Sequence, residues 1–339
     1  MNTRGGVLAR TNCRIKPLKS HKSKQGTNMF FIDGILYYAD ASMKKVIKYS
    51  VDDQDILATL YTKKRSAFMF PLFKRSKLPS EFVLQSSVLI SDGLQIRVVD
   101  LDNNAELDVC SLEDIGLKGT VGAATTHNSG RLFFSVIQSE NNRVMEQCGG
   151  TFCCMTTAGS IFKLYDGICL SDGMCFNKDY SRLFAFDLMR KRLVYFSLDQ
   201  INITSPSTFI NWETSPLVEN SQVRGMAVDK NDHLWVCCSG EGKVIEVDIE
   251  SKTILRDLLM PKAKELSSVC FGGTDYRELF VASSYVGLTQ DELTRQVNAG
   301  HIFAVKGYSN LQGRKPTPIL LNLNGGKSNK SAGTSMKYS

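Results

Sequence analysis

No stretch of this chain is apolar for anything near the roughly 18 residues that a membrane-spanning helix needs, which argues against a helical integral membrane protein. The opening segment, MNTRGGVLARTNCRIKPLK, has no hydrophobic region of signal-peptide length either, so secretion is not expected. No acidic residue precedes Asp33. The basic start is read as a flexible leader over residues 1–13, with a mitochondrial presequence as the lesser alternative. Ten cysteines are present, yet no CxxC pair occurs. In a chain that is not secreted they are expected to be reduced thiols, most of them small buried hydrophobes, and the location expected is cytoplasmic. His21, His127, His233 and His301 are isolated from one another, so each is expected to be structural and no Cys/His zinc site is expected. The basic runs at residues 16–24 and 63–75 lack interleaved aromatics and any nucleic-acid motif. The net charge of +7 is therefore assigned to solvated faces, with neither nucleic acid nor membrane as a partner.

What the chain does have is a repeat. Residues 223–248, VRGMAVDKNDHLWVCCSGEGKVIEVD, read as three short strands separated by Lys-Asn-Asp and Gly-Glu-Gly, residues with the chemistry of tight turns. A meander of this size cannot bury its faces alone. The same layout recurs in SDGMCFNKDYSRLFAFDLMRKRLVYFSLD (residues 171–199) and, with an insertion, in LSSVCFGGTDYRELFVASS followed by AGHIFAVKG. Earlier copies are MFFIDGILYYADASMKKVIKYSVDD, FVLQSSVLISDGLQIRVVDLDNN, and GAATTHNSGRLFFSVIQS with GSIFKLYDG. Modules thus begin near Met29, Phe82, Gly122, Gly173, Gly225 and Val269. Their spacing of about 40 to 53 residues is that of four-stranded propeller blades, and the fold expected is an all-β, six-bladed β-propeller over residues 14–323.

Between the modules, RIKPLK is expected to return as a strand that closes the ring beside the last blade. Residues 111–121 are expected to lead into blade three. Residues 139–157, SENNRVMEQCGGTFCCMTT, read as a polar insertion interrupting that blade. QDELTRQ is expected to form a short helical turn. The low-complexity basic tail, residues 324–339, is not expected to fold.

Several of these segments carry a family resemblance. RGMAVDKNDHLWVCCSGEGKVIEVD is similar to the P-D-G-M-x-x-D-x-x-G-N-L-W-V block of the regucalcin family, the senescence marker proteins, which includes gluconolactonases and insect luciferin-regenerating enzymes. SDGMCFNKDYSRLFAFD resembles that family's S-N-G-L block, and LSSVCFGGTDYRELFVASS its T-S-x-x-F-G-G block. GLTQDELTRQVNAGHIFAV resembles the segment leading into its last strand. The resemblance implies a lactone hydrolase or calcium-binding propeller whose axis holds a divalent cation on a Glu, an Asn and an Asp, the Asp also serving as base. Those positions fall on Thr27, Asp172 and Arg224. Of the three, only Asp172 is competent as a metal ligand. Thr120 and Gly122 stand at the implied substrate-binding positions, and Glu140 at that of a lid glutamate.

A guanidinium about 4 Å from a divalent ion is repelled by about 8 kcal/mol at an effective dielectric near 20, and a lost carboxylate removes attraction of similar size. The sequence therefore points to a degenerate metal site with no catalytic residue assigned and no cofactor expected. An ion pair of Asp172 with Arg224, or an anionic ligand on Arg224, is expected in the metal's place. The functional reading is a non-catalytic binding or regulatory paralogue, with a small-molecule or anionic ligand at the propeller mouth. One alternative is a Ca- or Zn-dependent sugar-lactone hydrolase using a shifted site of Asp172 with Glu140 or Asn28. Another is a protein-interaction platform that meets a protein partner through residues 139–157.

Overall fold

A computed structural model describes residues 13–19, 22–140, 143–144, 150–199, 202–212, 214 and 221–323. For residues 139–140, 143–144 and 170–172 it describes the backbone alone. Among the described residues the strands form six small antiparallel sheets around an axis, the six-bladed propeller that the repeat implies. The innermost strands are Gly26–Ile32, Met69–Pro71, Thr120–Thr126, Leu170–Phe176, Gln222–Val228 and Leu266–Gly272. The end at which these strands begin is called the mouth below. In blade one the innermost strand turns through Asp33 and Gly34, at φ 48° and 83°, into Ile35–Asp40, the left-handed pair that a two-residue hairpin requires.

Blade six joins the two ends of the chain. Arg14–Pro17 is its outermost strand and pairs antiparallel with Ile302–Lys306, Arg14 lying opposite Lys306. RIKPLK does close the ring, which removes the open edge that a linear array of blades would keep. The helical turn also forms, at Gln290–Arg295, capped by Thr289 and Glu292 in a reciprocal box.

Two assignments need correction. Blade two begins not at Phe82 but at Met69–Pro71, three fully buried residues set between the basic clusters of residues 63–75. Burial of Phe68, Met69 and Phe70 against Phe30 and Leu89 decides the matter, and so short a strand leaves no periodicity to read. Residues 151–157 are not part of an insertion, because Thr151–Met155 is the buried third strand of blade three and pairs with Leu132–Ile137. Within the remaining insertion, Ser139–Glu140 pairs with Arg143–Val144. Residues 1–12 and 324–339, including the expected leader and tail, lie outside the described residues.

The core lies between blades rather than within them. Phe68 and Phe70 stack at 5.1 Å, and Phe30 meets Phe70 edge-on at 5.5 Å. After blade six the chain does not stop. Residues 313–323 cross the face opposite the mouth as a strap. It bonds in turn to Tyr276, to the turn after the innermost strand of blade four, to Pro71 and Phe73 of blade two, and to Gly130 and Thr157 of blade three. Ile319 and Leu321 of the strap are wholly buried in the cluster formed by blades one to three.

The candidate axial site

The innermost strands approach one another so closely that the Gly-Met openings are a steric requirement. A Cβ on Gly173 would lie 1.9 Å from the carbonyl oxygen of Arg224, and one on Gly225 2.4 Å from the Cα of Ser268. Blade four therefore meets blade five, and blade five meets blade six, main chain against main chain near the mouth. Just past the mouth most of these strands carry a bulge, as between Thr27 and Phe30 and between Val223 and Met226. The bulge re-aims the side chains at the axis.

Thr27 is 2% exposed, and its hydroxyl donates to the carbonyl of Ala67 at 3.1 Å. Asn28 sits in the left-handed region at φ 46° and is 7% exposed. Its amide nitrogen donates to Ala67 O at 2.8 Å and Gly122 O at 3.1 Å, while its oxygen accepts from the Ala124 N–H at 3.0 Å. Asn28 thus clamps blade one to blades two and three. Nothing in its sequence neighbourhood signals this, because its partners are 39, 94 and 96 residues away. On the other flank Ser268 Oγ accepts from Met29 N–H at 3.2 Å, and Ser267 Oγ donates to Gly26 O at 2.6 Å.

Arg224 is half-buried, and its guanidinium donates to Gln222 Oε1 at 3.1 Å. The contact between Gly173 and Arg224 sets the main chain just after Asp172 beside that residue. The side chains of Asp172 and Glu140 lie outside the described residues. Thr120 opens the innermost strand of blade three and is half-buried opposite Ile137. Gly122 is buried, gives its carbonyl to Asn28, and would bring a Cβ within 2.9 Å of Ser135 Oγ and Ile137 Cδ1.

A second polar centre was not legible in the sequence. In blade five His233 Nδ1 lies 2.8 Å from Glu246 Oε1 and 3.4 Å from Asp229 Oδ2, and Nε2 lies 3.8 Å from Asp248 Oδ2. Asp229 and Glu246 are 1% and 2% exposed. Asp229, His233 and Glu246 form a group whose ligand atoms are close enough to hold a metal ion. The same oxygens are also served by protein donors. Asp229 accepts from the N–H groups of Asn231 and His233 and from the Trp235 indole, and Glu246 accepts from Arg256. Finding this group needs the hairpin register that sets His233 opposite Asp248 and Trp235 opposite Glu246.

Removing the charge of Glu246 with Glu246→Gln is expected to cost about 2 kcal/mol, because Arg256 and His233 lose an ionised acceptor. In a chain of this size that is a fall of about 3 °C in a thermal melt. A change below about 1 °C would show that the group carries little of the blade's stability. Burial pushes the thiols of Cys110, Cys154 and Cys238 up to about 12, so these three offer no thiolate at neutral pH.

Fold and axis together define a six-bladed propeller built on the plan of the lactonase and calcium-binding propellers. The chain belongs to the SMP-30/gluconolactonase/LRE-like family, whose sequence model matches residues 36–285. It is 29% identical to regucalcin of Gallus gallus over 195 residues, 56% of this chain and 63% of that protein, so the matched stretch spans less than two thirds of that relative. Among solved structures, a luciferin-regenerating enzyme superposes with a TM-score of 0.78 at 17% identity, covering 91% of this chain and all of that one. Regucalcin of Agrobacterium tumefaciens strain C58, described as a calcium-binding protein, superposes with a TM-score of 0.76 at 18% identity, covering 90% of this chain and 96% of that one. At these identities the two superpositions establish the fold.

Proposed function

We propose that this chain is a non-catalytic binding or regulatory member of its family, without the divalent-cation site that lactone hydrolysis uses there. The observation that carries the reading is Arg224, a permanent cation half-buried on the innermost strand of blade five, at the position where the motif resemblance implies the family aspartate. Thr27 supports it, for it carries no charge and its hydroxyl donates to the carbonyl of Ala67. With a guanidinium in place of one carboxylate and a threonine in place of the other, the residues present do not suit a hard divalent ion. They suit an anion or the carboxylate of Asp172. We place the protein in the cytoplasm on its reduced-cysteine composition. No described helix is long and apolar enough to cross a membrane.

A thermal-shift titration with Ca²⁺, Zn²⁺, Mn²⁺ and Mg²⁺ tests this. A metal at 100 times its dissociation constant stabilises a protein by about 2.7 kcal/mol. No shift is expected from Ca²⁺, Mn²⁺ or Mg²⁺, whereas Thr27→Glu with Arg224→Asp is expected to gain a Ca²⁺ shift of about 4 °C. A saturable shift in the natural protein that Asp172→Ala removes would overturn the proposal and restore the lactonase reading. A Zn²⁺ shift removed by His233→Ala would instead locate the ion in blade five and leave the axial proposal standing.

A further inference from the structure

The polar group of blade five stands at the end of that blade away from the mouth. Asp229 follows the innermost strand directly, and its main chain bridges to Gly313 of the strap. The turn at residues 230–232 then sends the chain back as His233–Ser239, beside which Lys243–Asp248 runs. His233 and Trp235 share one face of their strand, and Asp248 and Glu246, their partners in register, share that face of the next.

Each donor atom that faces the centre of the group is backed by an anchor on the far side of its side chain. Asp229 Oδ1 is held by the N–H groups of Asn231 at 2.8 Å and His233 at 2.9 Å, while Oδ2 lies 3.4 Å from His233 Nδ1. Glu246 Oε2 is held by Arg256, whose guanidinium packs 4.7 Å from the Tyr308 ring, while Oε1 lies 2.8 Å from Nδ1. Behind the imidazole, Nε2 lies 3.8 Å from Asp248 Oδ2. A carboxylate behind a histidine, and fixed partners behind carboxylates, are the outer contacts that orient metal ligands. The Trp235 indole also reaches Asp229 Oδ2, at 3.3 Å, a long contact that leaves the oxygen a free lone pair.

Charge and spacing decide which ion suits the group. Asp229 and Glu246 are almost wholly buried, and buried carboxylates need cations beside them. With Asp248 the group holds three carboxylates against the one guanidinium of Arg256, so a neutral imidazole leaves it two negative charges in excess. Ligand atoms of Asp229, His233 and Glu246 all lie within 4.8 Å of one another. Around a tetrahedral ion with bonds of about 2.0–2.2 Å, neighbouring ligand atoms stand about 3.4 Å apart. Nδ1 and Oδ2 already have that spacing, and Oε1 needs to retreat by about half an ångström. One nitrogen and two oxygens suit a borderline ion such as Zn²⁺, whereas Ca²⁺ and Mg²⁺ require about six oxygens or more. The His233 side chain is 20% exposed, which gives an ion and a water a way in.

We propose that Asp229, His233 and Glu246 form a zinc site, separate from the axis. Zn²⁺ replaces the proton between His233 Nδ1 and Glu246 Oε1, which passes to solvent, and water fills the fourth position. The bound ion joins the end of the innermost strand to the second and third strands of blade five.

The probe is the metal alone, added to the full chain after EDTA treatment and removal of the chelator. Calorimetry is expected to show one Zn²⁺ per chain with a dissociation constant of about 10 μM or tighter. Co²⁺ in its place is expected to give the intense visible absorption of a tetrahedral ion, without the near-ultraviolet band of a cysteine thiolate ligand. His233→Gln and Glu246→Gln are each expected to weaken Zn²⁺ at least tenfold, whereas His301→Gln leaves binding unchanged. Each variant is checked for an unchanged circular dichroism spectrum, and either ligand variant that folds suffices. No binding at about 0.1 mM Zn²⁺ would overturn the proposal. So would the faint spectrum of six-coordinate Co²⁺, a thiolate band, or binding that survives in the ligand variants. A Zn²⁺ response lost in Asp172→Ala but kept in His233→Gln would place the ion at the axis, overturning this proposal and the axial one together.

Discussion

The double variant Ile319→Ala/Leu321→Ala is expected to melt about 6–14 °C below the natural protein. Both side chains are fully buried, on a strap that follows the last blade and is not part of any sheet. Each truncation of this kind in a packed core costs about 2–5 kcal/mol, in lost transfer energy and in the cavity left behind. The pair therefore costs about 4–10 kcal/mol, and a chain of 339 residues loses about 1.4 °C per kcal/mol. Pairing does not spare the strap from this loss. It is tied to its neighbours through main-chain bonds such as Phe73 N–H to Ile319 O and Lys77 N–H to Leu321 O, both 2.7 Å, and these require the side chains to stay seated. Lys315→Ala provides the control, since its ammonium meets only the exposed Asp33, and surface substitutions of this sort fall within about 0.5 kcal/mol. Calorimetry or a circular dichroism melt reads the difference. A fall below about 3 °C would mean that the ring is complete without the strap.

The strap also shows where the sequence is and is not informative. Blades four, five and six are legible because each opens on a small residue, turns through Asn, Asp or Gly, and continues in aromatic or β-branched strands. Those signals are local, and they survive without knowledge of any partner. Met69–Pro71 is not legible, because three residues carry no period and the surrounding lysines and arginines dominate the window. Thr151–Met155 is misjudged for a related reason. Its two cysteines pass for loop composition until Phe133 and Phe134 are known to lie opposite them.

The axial positions divide in the same way. Thr27 and Arg224 can be placed from motif spacing, because Gly26 and Gly225 anchor the register on either side. The clamp at Asn28, the His233 group and the Arg314 contacts cannot, because each exists only once segments from different hairpins or blades are brought together. Arg314 reaches carbonyls 136 to 138 residues away, a juxtaposition that the closing of the ring creates.

Gly225→Ala is expected to prevent the ring from closing. The added carbon would lie 2.4 Å from Ser268 Cα, 2.7 Å from Val269 N and 2.8 Å from Ser268 C, where contacts under 3.0 Å essentially never occur. All three are main-chain atoms of the innermost strand of blade six, so no side-chain rotation relieves the overlap. The strands must separate by about 1 Å. Dispersion contacts across the axis then fall off steeply, and bonds near the junction such as Met29 N–H to Ser268 Oγ lengthen. Overpacking in a well-filled core costs about 1–3 kcal/mol where side chains can shift, and more is expected where only backbone can give. The expected outcome is a loss above about 4 kcal/mol, seen as a fall of about 6 °C or more in melting temperature or as recovery only in aggregates. Backbone strain is not the cause, for Gly225 has no left-handed φ. Gly26→Ala separates the two effects. It opens the innermost strand of blade one, and its nearest contact is Ala282 Cβ at 3.2 Å, so a shift of a few tenths of an ångström suffices. That variant is expected to lose no more than about 1 kcal/mol. If both variants melt together with the natural protein, the inner strands do not meet as closely as the Gly-Met openings imply, and the placement of Arg224 beside the chain of Asp172 fails with them.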